Sequence, residues 1–359
     1  MRPKEDFDLP ANLTSTTNSP ISDRLRTPLT AMLGIRVPVI QAPIGSFSCP
    51  ALAAAVSEAG GLGTLALSWD SPAGCRKKIA ETQAATQAPF GINLVLEWDQ
   101  SDRLNACLEA GAKVISFFWG DASRYLSRVR EAGAKTMMIV GSSDEAKKAA
   151  DSGADIIVCQ GYEAGGHVRG VAGSIALIPA VVDRVAPLPV VAAGGLADGR
   201  GLAAALALGA SGVWMGTRFS TATESLAHAE FKQHLLNSGE SDTQYLCLFD
   251  GGWPNAPHRV LRNSTVDAWN KAGQPGPGSR PHEKQPIGHS PKGGEILRYD
   301  DTPPVVGMTG DWEACALYAG QSVGVIHEIK SAGSIVTEIV RDARQAILSL
   351  ARAMEISGS

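Results

Sequence analysis

The chain has 359 residues, 44% hydrophobic and 19% charged, enough for one large α/β domain with an addition and too apolar for a disordered or fibrous protein. A net charge of −4, a pI near 6.0 and scattered lysines and arginines provide no basic field, which argues against nucleic acid as a partner. No run of about eighteen apolar residues occurs, and the N-terminus lacks the apolar centre of a secretory signal, so the chain reads as cytoplasmic with no membrane partner.

Residues 1–24 are polar and read as an N-terminal arm. From residue 37 onward, short β-branched runs alternate with alanine-rich stretches, the pattern of repeated β-α units. Eight strands are expected: VPVIQAPI (37–44), GLGTLAL (61–67), FGINLVLE (90–97), VISFFWG (114–120), TMMIVG (136–141), DIIVCQG (155–161), PVVAAGG (189–195) and GVWMGTRF (212–219). Helix candidates such as PALAAAVSEAGG and ASRYLSRVREAG lie between them, most ending in a glycine suited to a left-handed cap. The pattern predicts a (β/α)8 TIM-type barrel over 25–219, with an open doubly wound sheet as the alternative.

After Phe219 a smaller region is expected over 220–318, with one helix at 223–239. A Pro/Gly-rich flexible loop or lid is expected at 272–294, too long for a simple connection. The stretch 319–359 predicts amphipathic helices packing back on the barrel, His327 among them. The six dispersed cysteines form no C-x-x-C pair and no metal-ligand spacing with histidine, so they read as reduced and structural, with no metal site.

In a β/α barrel the active face lies at the C-terminal strand ends, and phosphate commonly binds after the last two strands. There Gly194 and Gly195 leave backbone N–H groups open to an anion, and Gly216, Thr217 and the charge of Arg218 complete a possible phosphate cradle. These glycines could equally close tight turns. Asn93 is an amide inside an apolar strand, suited to a neighbouring strand or to the edge of a planar cofactor ring.

The sixth strand empties into QGYEAGGHVRG. Gln160 ends the strand, Gly165 and Gly166 clear the approach, and His167 is a candidate acid, base or positive charge. Glu163 and Arg169 admit several roles, and His258 lacks a supporting pattern. Serine-hydrolase, P-loop, zinc-protease and dinucleotide-binding templates are all missing from the sequence.

Five stretches, IQAPIGSFSCPALAAAVSEAGGLGTLALS, GINLVLE, VCQGYEAGGHVRG, VVAAGGLADGRGLAAALALGASGVWMGTRF and AGQSVGVIHEIKSAGSIV, closely resemble the nitronate monooxygenase (2-nitropropane dioxygenase) family of FMN-dependent β/α barrels. The resemblance implies FMN over the barrel mouth. Asn93, Gln160, Gly165, Gly194 and the stretch Trp214, Met215, Gly216 and Thr217 match its flavin-binding positions, the backbone at Ala42 and Pro43 approaches the ring, and His167 matches its catalytic histidine. The implied reaction oxidises alkyl nitronates with O2 to carbonyl compounds and nitrite. Val168, between His167 and Arg169, departs from the family pattern, and residues 240–310 fall outside the match. The same motifs resemble FMN-dependent, NAD(P)H-using enoyl-acyl-carrier-protein and quinone reductases, which leaves a reductase as the alternative.

Overall fold

In the computed structural model, which describes residues 24–355, eight parallel strands alternate with helices around a ring. They are, in chain order, Val39–Gln41, Gly63–Ala66, Phe90–Val95, Val114–Phe118, Lys135–Val140, Ile156–Gln160, Val190–Ala193 and Gly212–Met215. From the second strand to the eighth each pairs with the next, and the first pairs with the eighth. A parallel bridge from Ile40 to Leu62 joins the first to the approach of the second and closes a TIM-type barrel. Except for Arg24, the expected N-terminal arm lies outside the described residues.

Strand alternation divides the apolar side chains between two layers. Ile40, Met137, Ile139, Ile156, Val158 and Val191 fill the barrel interior. Their neighbours Val39, Met138, Val140, Ile157 and Val190 face outward into the layer beneath the helices. One short helix, Pro28–Leu33, inserts Leu29 and Leu33 into the interior cluster. Thr27 and Thr30 form a capping box at its start, and Gly34 at φ 69° ends it, so the plug is held at both termini.

The C-terminal stretch forms one long helix, Ala332–Glu355, where several were expected. Before it come a 3-10 turn, Gln321–Val325, and an extended passage held by the Ala222–Lys330 bridge and by the Thr223 N–H donating to Lys330 O at 2.9 Å. This passage places His327 in exposed coil, not in a helix. The long helix packs against Gly199–Ala207 and Pro50–Glu58, occupying the eighth helical place around the barrel. A Cβ at Gly199 would stand 2.3 Å from Ala343 N, so the close crossing requires glycine there.

Residues 220–331 form the elaboration between the eighth strand and this helix. The helix expected over 223–239 is restricted to Ala229–Leu236, because Leu226 is tied up as an extended residue by Phe47 and Val306. A small antiparallel sheet joins Thr243–Leu246, His258–Leu261 and the two-residue strand Gly166–His167. A second sheet joins Pro286–His289 to Glu295–Leu297 and Thr309–Gly310. The Pro/Gly-rich stretch therefore contains a strand, anchored by Arg280, whose guanidinium reaches Asp250 at 2.7 Å and Glu283 at 2.6 Å. No helix among the described residues is long and apolar enough to cross a membrane. All six cysteines are free.

Candidate active site

A cavity of about 350 Å3 opens at the C-terminal ends of the barrel strands, roofed by part of the elaboration. Ala42 and Pro43 from the first strand end, Asn93 from the third and Gln160 from the sixth line it, with Gly165, Gly166 and His167 from the loop beyond. Gly194 and Gly195 after the seventh strand and Trp214, Gly216 and Thr217 of the eighth complete the wall. The predicted residues converge because parallel strands in one ring deliver all their C-terminal ends to one face.

Met215 is the correction. Its side chain is buried in the layer between strands and helices and does not line the cavity, because it follows inward-facing Trp214 and adjacent strand residues point oppositely. Its backbone carbonyl accepts the Ala42 N–H at 2.9 Å, a structural bond between the first and eighth strands. Arg218 also stays out of the cavity. Its guanidinium turns away to Thr221 Oγ1 at 2.8 Å and Glu328 O at 2.9 Å, leaving the Gly194–Gly195 and Gly216–Thr217 end without that charge.

Asn93 donates to Ser116 Oγ at 3.0 Å on the neighbouring strand while still lining the cavity. Gln160 does two things as well. Its amide nitrogen donates to His167 O at 3.0 Å, and its oxygen accepts the Arg169 N–H at 3.4 Å, so it staples the loop to the end of its own strand. Glu163 resolves to a helix cap: its carboxylate accepts the Ser174 N–H and hydroxyl at 3.0 and 2.9 Å, satisfying donors at the start of Ser174–Val185.

Of the two loop glycines, only Gly166 stands beside open space. A Cβ on Gly165 would meet Gly320 N at 2.3 Å and Ala319 C at 2.4 Å, so this glycine allows two backbones to cross. Gly320 is fixed in turn by its N–H donating to Thr217 Oγ1 at 3.0 Å. Loop, eighth strand end and the chain before the last helix thus meet at one point.

His167 is half-buried, and its Nε2 is shielded from solvent without a hydrogen-bond partner. Its ring stacks on Trp253 at 4.1 Å and meets Tyr318 at 5.6 Å and Trp119 at 6.0 Å. Burial, with His258 as a second cause, pushes its pKa down to about 3, so the imidazole is neutral at physiological pH. His258 pairs with His167 across the small sheet and is fully buried. Its Nδ1 donates to Ala256 O at 2.9 Å and its Nε2 accepts the Phe249 N–H at 3.2 Å, which fixes a neutral tautomer.

Val168 is fully buried. Its N–H donates to Pro257 O at 2.9 Å and its carbonyl accepts the Tyr245 hydroxyl at 3.2 Å. The residue that breaks the expected pattern is therefore the one that docks the loop on the elaboration. Arg169 beyond it pairs with Glu145 at 2.7 Å and lies 5.8 Å over the Trp119 ring.

Sequence reasoning missed an aromatic cluster, of which Trp69 and Trp253 line the cavity. Trp69, Trp98, Trp253 and Trp119 form a chain of ring contacts at 5.8, 5.3 and 5.0 Å. Trp119 directly follows the fourth strand and was findable by the same strand-end rule. Trp253, Asp301 and Tyr318 were not, because nothing local marks residues of the elaboration as facing the barrel.

The family model for nitronate monooxygenase matches residues 26–103 and 97–342. A Mycobacterium tuberculosis protein named (3aS,4S,5R,7aS)-5-hydroxy-7a-methyl-1-oxo-octahydro-1H-indene-4-carboxyl-CoA dehydrogenase is 35% identical over 347 residues, covering 89% of this chain and 96% of that protein. A nitronate monooxygenase of Paraburkholderia phytofirmans is 30% identical, covering 90% and 96%. The structure of FabK from Thermotoga maritima superposes with a TM-score of 0.77 at 30% identity, covering 92% of this chain and 99% of that one. With its barrel, its strand-end cavity and these matches along nearly its whole length, the chain belongs to the nitronate monooxygenase family of oxidoreductases.

Proposed function

We propose that this chain holds FMN in the strand-end cavity and oxidises alkyl nitronates with O2 to carbonyl compounds and nitrite, with His167 as its acid/base. One observation carries the reading: His167, a neutral imidazole whose shielded Nε2 has no protein hydrogen-bond partner, lines the strand-end cavity beside Trp253 and Tyr318. A buried polar nitrogen left unpaired costs about 1–3 kcal/mol, which a ligand bonded to it would remove.

The cavity residues fit FMN. Ala42, Pro43 and Gly166 offer backbone and open space for a flat ring, Asn93 and Gln160 would hydrogen-bond its polar edge, and Gly194, Gly195, Gly216 and Thr217 would hold the phosphate. When bound, FMN supplies the electron acceptance that no side chain here can. The protein's part is to exclude water with Trp253 and Tyr318, to seat the substrate against His167, and to move one proton at Nε2. An anionic nitronate beside this nitrogen favours the imidazolium and opposes the effect of burial, so the proton can be held during turnover.

The test is a visible spectrum of the purified protein before and after anaerobic addition of propyl-2-nitronate. A flavin spectrum bleached by the nitronate is expected. Colourless protein, or flavin untouched by it, overturns the proposal. His167→Ala should keep the flavin and lose about 10²–10⁴-fold in turnover; undiminished turnover would remove the assigned role.

A second reading, a flavin-dependent NAD(P)H reductase or a dehydrogenase of ring-bearing substrates, is favoured by the tryptophan cluster and the Mycobacterium tuberculosis relative. In the same experiment, rapid bleaching by NADPH or NADH and none by the nitronate would select it.

A further inference from the structure

The aromatic half of the cavity contains a second polar group besides His167. Asp301 belongs to the elaboration and lines the cavity together with Trp253 and Tyr318. Two other carboxylates lie near it, and both have partners: Asp250 pairs with Arg280 at 2.7 Å, and Asp300 accepts the Leu297 N–H at 2.7 Å. Among the described residues, only its own backbone N–H serves the carboxyl group of Asp301.

Its placement is closely determined. Tyr318 donates its hydroxyl to the Asp301 carbonyl at 3.2 Å, and the same Tyr318 ring lies 5.6 Å from the His167 ring. On the other side, a Cβ at Gly252 would fall 2.6 Å from Asp301 Oδ1, so the glycine before Trp253 makes room for the carboxyl group. Burial, then the charges of Asp300 and Asp250, raise its pKa above the ordinary carboxylate range, as expected for an acid without a countercharge.

We propose that Asp301 is a specificity-determining residue that accepts a hydrogen bond from a hydroxyl group of the substrate, placed across an apolar body from the carbon that reacts at His167. Trp253 supplies the surface for that apolar body, lying against the imidazole on one side and beside Gly252 on the other. A substrate without a donor leaves the carboxylate with no partner but its own backbone N–H. One with a donor adds a bond to it, and sites built to bond a hydroxyl discriminate strongly against analogues that lack it.

The proposal rests on reading this cavity as the substrate site, but not on nitronate chemistry, so binding is the measurement. Quenching of tryptophan fluorescence in the protein as purified, with any cofactor it retains, would be titrated with cyclohexanone and with 4-hydroxycyclohexanone. The hydroxylated ligand should bind about ten-fold more tightly, and Asp301→Ala should reduce that ratio to about one. Gly252→Ala, which displaces the carboxyl group without removing it, should reduce the ratio in the same direction. Equal affinities in the unaltered protein, or a preference that survives Asp301→Ala, would overturn the assignment. Hydroxyl selectivity in a protein that ignores nitronates would sustain it and reject only the nitronate reaction.

Discussion

Acid should destabilise this protein through the half-buried His167, whose Nε2 is shielded from solvent, and the fully buried His258, and the size of the effect follows from their surroundings. His167 is pushed down to about 3 and His258 to about 4, whereas both titrate near 6.5 in the unfolded chain. Below that value the unfolded state binds protons that the folded state refuses, so stability falls as pH falls, at about 1.4 kcal/mol per unit for each group. It is fully retained above about pH 6.5 and is lost progressively toward the folded pKa values. Between pH 6.5 and 5 each histidine costs about 2 kcal/mol, and the pair about 4 kcal/mol. Urea denaturation at pH 7 and pH 5 would measure the loss in the unaltered protein and in His167→Gln. The variant should lose about 2 kcal/mol less over that interval, because one of the two proton-refusing groups is gone. Equal losses in both proteins would refute the argument that burial keeps His167 neutral. His258 should account for the remaining difference, since protonating its Nε2 forfeits the bond from the Phe249 N–H.

Gly165→Ala should destabilise the fold by about 1–3 kcal/mol and lower flavin content, because the new methyl group meets the Ala319–Gly320 backbone; an unchanged denaturation midpoint would count against the crossing described above. Met215→Leu should cost less than about 1.5 kcal/mol and leave the visible spectrum unaltered, since the side chain faces the helices; a shifted flavin band would show contact with the cavity. Glu163→Ala should cost about 1–2 kcal/mol through the lost helix cap, with Glu163→Gln recovering part of it; equal stability of all three proteins by thermal melting would contradict the capping role.

The alternation of β-branched runs with alanine-rich stretches predicted the barrel from sequence alone, and the strand-end rule pointed to the face that holds the cavity. Ala42, Asn93, Gln160, His167, Gly194 and Thr217 were legible because each stands at or just beyond the C-terminal end of a strand, and parallel strands in a closed ring must bring those ends together. The side-chain direction of Met215 was legible too, had strand alternation been applied through GVWMG. Other features were decided only by tertiary structure. The long helix Ala332–Glu355 takes the eighth place in the barrel after an intervening 112 residues, 220–331, and no local signal encodes that return. Trp253, Asp301 and Tyr318 reach the cavity on the elaboration, which pairs the strand His258–Leu261 with Gly166–His167. Gly165 appeared in the sequence as clearance for a ligand, but its missing Cβ is needed where Ala319 and Gly320 cross. Contacts between residues so distant in sequence depend on the path of the folded chain, which neither composition nor spacing expresses.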